Sequence, residues 1–147
     1  MTESGTRQKA KLVMFVEDNI DSREPFAIAL RQEGLLVDEV ATLTEALVIA
    51  PRLLPDIIVL DRHLPDGDGW DAARRFRSIE ALKNVPIIAF TSNVKGRADV
   101  EDALVAGCDV FLEKPSFPSV LVRHVLGLLG LPLPEERQSE SRVRKRA

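Results

Sequence analysis

Apolar blocks rich in β-branched residues alternate along the chain with blocks in which apolar residues recur at helical spacing. The apolar blocks predict five strands, at residues 12–16, 35–40, 57–60, 86–90 and 108–112. The blocks between and after them predict five helices, at residues 21–33, 44–50, 69–79, 97–106 and 117–129. Five strand–helix units with short connections are typical of an α/β protein whose parallel sheet is covered by helices on both faces.

Glycine, proline and serine mark where several of these helices begin and end. Gly34 follows the first helix as a C-terminal cap. Pro51 and Pro55 end the short second helix, since proline removes a backbone donor and clashes with the preceding turn. Ser116 is expected to cap the last helix through its hydroxyl.

These elements predict one domain over residues 10–130, flanked by two polar ends. Residues 1–9 and 131–147 are polar or interrupted by proline, which predicts a disordered N-terminal segment and a disordered C-terminal tail. The tail ends in RVRKRA, with four basic residues among six. Such a tail could touch nucleic acid or acidic lipid, but a solvated tail is the default expectation.

Charge and cysteine content narrow the class of protein. Twenty Lys and Arg against 23 Asp and Glu leave a net charge of −3, so nothing global favours nucleic acid or a membrane surface, and we expect no direct binding to DNA. Cys108 is the single cysteine, which excludes an intramolecular disulfide or a CxxC site. With no visible signal peptide and no stretch near the ~20 apolar residues of a membrane span, we expect a cytoplasmic protein.

Chemically active residues follow four of the five predicted strands. Glu17 and Asp18 follow the first strand and Asp61 the third, while Thr91 and Lys114 follow the fourth and fifth. In open α/β sheets, ligands bind beyond the carboxyl ends of the strands. Three carboxylates gathered there repel one another unless a cation or a proton intervenes. Oxygen ligands without His or Cys select Mg²⁺ or a similar ion over zinc, and Asp61 then becomes a carboxylate nucleophile for a phosphoryl group.

Four motifs resemble those of the receiver domain of two-component response regulators, the CheY-like family. They are VEDN at 16–19, LDRHLPDGDG at 60–69, FTS at 90–92 and FLEKP at 111–115. Each is weak alone, but their order and spacing match the family from about residue 11 to 130. The resemblance implies a doubly wound, flavodoxin-like five-stranded parallel sheet of order 2-1-3-4-5.

The resemblance also implies a reaction. Asp61 would accept a phosphoryl group from a histidine kinase or a histidine phosphotransfer protein, in a receiver that catalyses its own phosphorylation and dephosphorylation. Asp18, Asp61 and the backbone carbonyl of His63 would hold Mg²⁺, with Glu17 acting largely through water. Lys114 would pair with the acyl-phosphate oxygens.

Signalling residues follow from the same resemblance. Thr91 and Phe111 would form a switch that remodels the face built by helix four, strand five and helix five, which controls a downstream protein or supports a homodimer. The bond before Pro115 would be a cis peptide. His63 and Asn93 would border the path of the attacking water and set the lifetime of the phosphoryl group.

Other functions fit the sequence less well. A receiver that works as a phosphorylation-independent interaction module remains an alternative, although such modules usually lack part of the acid–lysine set. A phosphatase of the haloacid dehalogenase type needs an acid two residues after its nucleophile, where this chain has His63. A flavodoxin is disfavoured because Glu17 and Asp18 bring negative charge to the flavin phosphate position. The last helix has a wide apolar arc that fits either packing on the sheet or docking of a partner.

Overall fold

The computed structural model describes residues 9–137, which form a five-stranded parallel sheet with helices on both faces. The strands are β1 (Leu12–Val16), β2 (Leu36–Val40), β3 (Ile57–Leu60), β4 (Ile87–Thr91) and β5 (Val110–Glu113). Neighbouring strands pair in parallel in the order 2-1-3-4-5. The predicted fold and strand order are therefore confirmed.

Five helices surround the sheet as two layers. They are α1 (Ile20–Gln32), α2 (Leu43–Leu53), α3 (Gly69–Ser78), α4 (Arg97–Ala106) and α5 (Pro118–Leu128). Buried side chains of α2, α3 and α4 form one apolar cluster with the sheet, and those of α1 and α5 form another on the opposite face. Of the helices in the described range, none is long and apolar enough to cross a bilayer.

Strand β3 shows why the sheet needs both helical layers. Its four residues, IIVL, are all fully buried. Ile58 and Leu60 belong to the cluster under α2, α3 and α4, whereas Ile57 and Val59 belong to the cluster under α1 and α5. A continuous apolar run therefore supplies both cores at once, as expected for a central parallel strand. Its position also delivers Asp61, the next residue, to the middle of the carboxyl edge.

Two predicted helix boundaries were wrong. Pro51 lies inside the last turn of α2 rather than ending it, because the buried Ala46 and Ala50 hold this helix against the core. Ser116 does not cap α5; that helix begins with Pro118, and the preceding residue makes no side-chain capping bond. Proline fits the first helical position because its missing N–H would have no partner there.

A short antiparallel hairpin after β3 was not predicted. Residues His63–Leu64 pair with Gly67–Asp68, directly after Asp61. The hairpin turns the chain from the end of β3 into α3, whose N-terminus is capped by Asp68 through the N–H of Trp70 at 2.9 Å.

The segment after α5 packs on the domain. Leu131 and Leu133 contact the apolar cluster under α1 and α5, and Arg137 forms an ion pair with Glu33 at the end of α1. The first residues of the predicted disordered tail therefore belong to the folded unit. Residues 1–8 and 138–147, which hold the rest of the two predicted disordered ends and the basic cluster, lie outside the described residues.

Candidate functional site

Three acids meet at the carboxyl edge of the sheet, between β1 and β3. Glu17 and Asp18 lie in the turn after β1, and Asp61 follows β3. One carboxylate oxygen from each lies within 4.8 Å of the other two. Parallel pairing fixes this arrangement, because the Asp61 N–H donates to the carbonyl of Val16 at 3.0 Å and the Glu17 N–H donates to the carbonyl of Val40 at 2.9 Å. The structure thus brings together the acid cluster that the sequence predicted.

Lys114 is the cation that faces this cluster. Its Nζ pairs with Glu17 and lies 3.4 Å from Asp61 Oδ2. The lysine is positioned from β5, since its backbone N–H donates to the carbonyl of Thr91 at 2.8 Å. The peptide bond to Pro115 is cis, as the resemblance implied. One ammonium group therefore opposes three carboxylates.

The excess negative charge is visible in two observations. Asp61 is only 8% exposed, and its Oδ1 is buried with no hydrogen-bond partner among residues 9–137. Desolvation at the cleft raises the pKa of the Asp18 carboxyl, and the hydrogen bond and the charge of Glu17 raise it further. Both effects are expected where carboxylates crowd together without enough counter-charge.

The donor set fits a hard divalent cation. The acids offer only oxygen atoms, and Asp61 Oδ1 is a buried acceptor with a place still free for a ligand. Oxygen-only sites prefer Mg²⁺ or Ca²⁺ over zinc. His63, expected to add a backbone carbonyl, lies in the hairpin two residues after Asp61, and its side chain is exposed.

The two expected switch residues line one cavity beside the acid cluster. Thr91 is buried, and its hydroxyl lies 3.5 Å from the carbonyl of Ser92, the outer limit of a hydrogen bond. Phe111 is half-buried and packs on the cluster under α2, α3 and α4. The cavity has a volume of about 170 Å³, and His63 and Asn93 also line it. The four residues that the resemblance gave roles in switching and phosphoryl lifetime are therefore neighbours.

The same cavity contains residues that the sequence did not single out. Arg62 lies over the ring of Trp70, 5.6 Å from its centroid. Its guanidinium also pairs with Asp68 at 3.3 Å and with Asp99 of α4 at 3.7 Å. Since Arg62 is the residue after Asp61, it links the acid cluster to α4. The sequence pattern does not identify Arg62, because its partners lie 6, 8 and 37 positions away in the sequence.

Gly69 is a further requirement of the site. A Cβ atom at this position would lie 2.0 Å from the backbone carbonyl oxygen of Asp61. The Gly69 N–H donates to the carbonyl of Arg62 at 2.7 Å, which keeps α3 close against the end of β3. The glycine of the LDRHLPDGDG motif is thus explained by close backbone approach.

Known proteins match this fold and these motifs. The family model for the response regulator receiver domain matches residues 13–126. The KDP operon transcriptional regulatory protein KdpE of Escherichia coli (strain K12) is 39% identical over 103 residues, which are 70% of this chain and 44% of KdpE. The chain thus spans less than half the length of that relative.

Solved structures of receiver domains are also similar to this chain. The receiver domain of the sensor histidine kinase PA1611 from Pseudomonas aeruginosa PAO1, which holds a magnesium ion in its active site cleft, is 34% identical with a TM-score of 0.76. The match covers 83% of this chain and 99% of that one. The receiver domain of a signal transduction histidine kinase from Syntrophus aciditrophicus is 30% identical with a TM-score of 0.76, over 82% and 91% of the two chains. The chain belongs to the family of response regulator receiver domains.

Proposed function

We propose that this receiver accepts a phosphoryl group on Asp61 from a phosphohistidine, in a reaction that depends on Mg²⁺. The observation that carries the proposal is the buried Asp61 Oδ1, which has no partner among the described residues while Oδ2 faces Lys114. An aspartate with a structural role satisfies both oxygens with nearby donors, as Asp66 in the hairpin turn does with Leu43 and Thr44. Asp61 instead keeps one oxygen free for an incoming group.

The residues around Asp61 divide the work of the transfer. A carboxylate oxygen of Asp61 attacks phosphorus, and the bond from phosphorus to the donor breaks, with its electron pair leaving on the donor. Lys114 turns from Glu17 and Asp61 toward the phosphoryl oxygens, where its charge offsets the negative charge of the acyl phosphate. Asp18, Asp61 and the His63 carbonyl would hold Mg²⁺, with Glu17 acting through water, and the ion would supply further charge neutralisation.

The switch would start at Thr91. Its hydroxyl, held only weakly by Ser92, is free to donate to the phosphoryl group. Phe111 can then move within the cavity that it shares with Thr91, and the movement reaches α4, whose Asp99 also lines that cavity. Helix α4 carries Val105, which is 84% exposed, and an exposed apolar group on this helix suits contact with a downstream protein or a second copy of the chain.

The phosphodonor would approach between α1 and the loop after β5. Ile20 and Phe117 are 58% and 78% exposed on the two sides of this approach. The groove between α1 and that loop is lined by Pro25 and Pro115 and reaches Lys114. Apolar groups around a charged cleft fit a histidine kinase or phosphotransfer domain that must bring its imidazole to Asp61. We propose the cytoplasm as the compartment, where the single thiol of Cys108 stays reduced.

Lifetime control would rest on His63 and Asn93. Both line the cavity beside Thr91, and Asn93 has a left-handed backbone with φ of 60°. Their side chains lie at the solvent side of the cleft, where they can admit or exclude the water that hydrolyses the acyl phosphate.

Labelling with acetyl phosphate tests the proposal. The wild-type chain with Mg²⁺ should gain the mass of one phosphoryl group, and EDTA or Asp61→Asn should abolish the gain. Asp71→Asn, which removes an exposed acid of α3 that pairs with Arg74, is the matched control and should label normally. An unmodified wild type, or an Asp61→Asn variant that still labels, would overturn the assignment.

A further inference from the structure

Arg23 of α1 occupies a position that is unfavourable for a free cation. It is the fourth residue of the helix, where the exposed N–H groups of the first turn create a positive potential. Its side chain is nevertheless only 11% exposed. A charged group buried there requires compensating partners.

Two acceptors compensate Arg23. Its Nε donates to Oε1 of Glu39 on β2 at 2.6 Å, and its Nη1 donates to the backbone carbonyl of Glu17. Glu39, which also pairs with Arg31, supplies the negative charge that faces the guanidinium group. The second bond is of a different kind, because the Glu17 carbonyl belongs to the acidic turn and lies immediately before Asp18.

The acidic turn has few other restraints on this side. The Glu17 N–H is paired with β2, and the Glu17 carboxylate accepts from Lys114 and from the Asn19 N–H at 3.2 Å. Among these contacts, Arg23 holds the carbonyl that fixes the direction in which the chain leaves Glu17 and presents Asp18. It does so from a residue that is itself anchored on β2.

We propose that Arg23 is a positioning residue for the cation site: through the Glu17 carbonyl it orients Glu17 and Asp18 so that they hold Mg²⁺. This inference rests on the proposed function and adds to it a residue that touches neither the ion nor the phosphoryl group. Residues that orient metal ligands typically change metal affinity by about 10- to 100-fold when removed.

A positioning role for Arg23 and a simple charge effect would change the affinity for Mg²⁺ in opposite directions. If Arg23 acted only as a nearby positive charge, its removal would strengthen the binding of a cation. If it positions the turn, its removal weakens binding. The substitution Arg23→Gln therefore separates the two roles by direction and not by size alone.

The chain offers a matched control. Arg31 also pairs with Glu39, through Oε2 at 3.0 Å, but its other bond goes to the carbonyl of Val37 and not to Glu17. Arg31→Gln therefore removes one arginine from the same carboxylate and leaves the acidic turn untouched. Arg23→Lys keeps the charge but cannot donate to both acceptors from a rigid fork.

Calorimetric titration of the full chain with Mg²⁺ alone tests the inference. Arg23→Gln should raise the Mg²⁺ dissociation constant by about tenfold, Arg23→Lys should raise it less, and Arg31→Gln should leave it unchanged. The rate of labelling by acetyl phosphate at saturating Mg²⁺ should stay close to wild type in all three variants, because the defect lies in metal affinity.

Equal or tighter Mg²⁺ binding by Arg23→Gln would overturn the positioning role. Thermal unfolding checks that this variant is folded; if it is not, wild-type Mg²⁺ affinity in Arg23→Lys would overturn the role instead. Failure of the wild type to bind Mg²⁺ would refute the proposed function itself, which distinguishes the two failures.

Discussion

The two edges of the central sheet carry their charges in opposite ways. At the amino edge, Arg77 of α3 donates to the carbonyl of Gly107 at 2.7 Å and to that of Val85 at 2.6 Å, and it pairs with Asp109 at 2.9 Å. Asp109 in turn accepts from the N–H of Ile87 at 2.8 Å. The charged side chains at this edge therefore form hydrogen bonds with backbone groups of the fold.

At the carboxyl edge, carboxylates outnumber the cations that face them. Glu17, Asp18 and Asp61 gather around Lys114, and Asp61 Oδ1 has no partner within residues 9–137. The comparison separates two uses of ionisable groups. Charged side chains that bond to the backbone stabilise the fold, whereas carboxylates in excess of their counter-charge are candidates for binding a cation or a phosphoryl group.

The largest stability effect is expected at the amino edge. Arg77→Ala should lower the free energy of unfolding by about 3 kcal/mol, because the carbonyls of Gly107 and Val85 lose a charged donor. Urea denaturation followed by the fluorescence of the single tryptophan, Trp70, measures it. Arg74→Ala, which breaks only an exposed pair with Asp71, should cost less than about 0.5 kcal/mol.

The same variant tests whether the two edges are independent. Folded Arg77→Ala should still label on Asp61 at the wild-type rate, since Arg77 makes no contact with the acid cluster. A labelling defect in a sample shown to be folded would break the comparison.

At the carboxyl edge, by contrast, removing a charged side chain should raise the free energy of unfolding of the metal-free protein. Because the folded protein raises the Asp18 pKa above 3.8, the contribution of Asp18 to metal-free stability should fall as pH rises from 3.8 through that raised value. Asp18→Asn should remove this loss and make the metal-free protein more stable than wild type at pH 7. Thermal unfolding in EDTA across this pH range measures the effect.

Added Mg²⁺ sharpens this prediction. At a concentration 100 times its dissociation constant, Mg²⁺ should stabilise the wild type by about 2.7 kcal/mol and the Asp18→Asn variant by less. Equal stabilisation of both proteins would mean that Asp18 does not take part in the cation site.

A smaller effect is expected at Asp66, a carboxylate at the same edge that serves the fold. The Thr44 hydroxyl, followed by the backbone N–H groups of Thr44 and Leu43, lowers the Asp66 pKa to about 2. Its contribution to stability is therefore complete above pH 3.8 and is lost as pH falls toward 2. Titration by NMR should show the Asp66 pKa moving up toward 3.8 in Thr44→Val. An unchanged pKa would contradict this cause.

Local patterns predicted most of the fold. The strand IIVL at 57–60 and the helix at 97–106 were placed correctly because their apolar periods and flanking residues agree. Pro51 and Ser116 misled the prediction, since the packing of Ala46 and Ala50 overrides one signal and Pro118 supplies the other helix start. Leu131 and Leu133 could not be placed, because their packing depends on the surface that α1 and α5 form together.

At the candidate site, too, some features could be predicted from the sequence and others could not. The clustering of Glu17, Asp18, Asp61 and Lys114 could be predicted because they lie just after strands, and the ends of parallel strands meet at one edge. Arg23 could not, since its bond to the Glu17 carbonyl depends on how α1 packs against Glu39 of β2. Side-chain contacts between elements need the folded structure.

A crystal structure with Mg²⁺ and beryllofluoride, a phosphoryl mimic, tests the central claim most directly. The account predicts beryllium bonded to an oxygen of Asp61, Mg²⁺ beside Asp18, and the Lys114 ammonium moved from Glu17 to a fluorine atom. An empty cleft at saturating concentrations of both, with Lys114 still paired to Glu17, would contradict it.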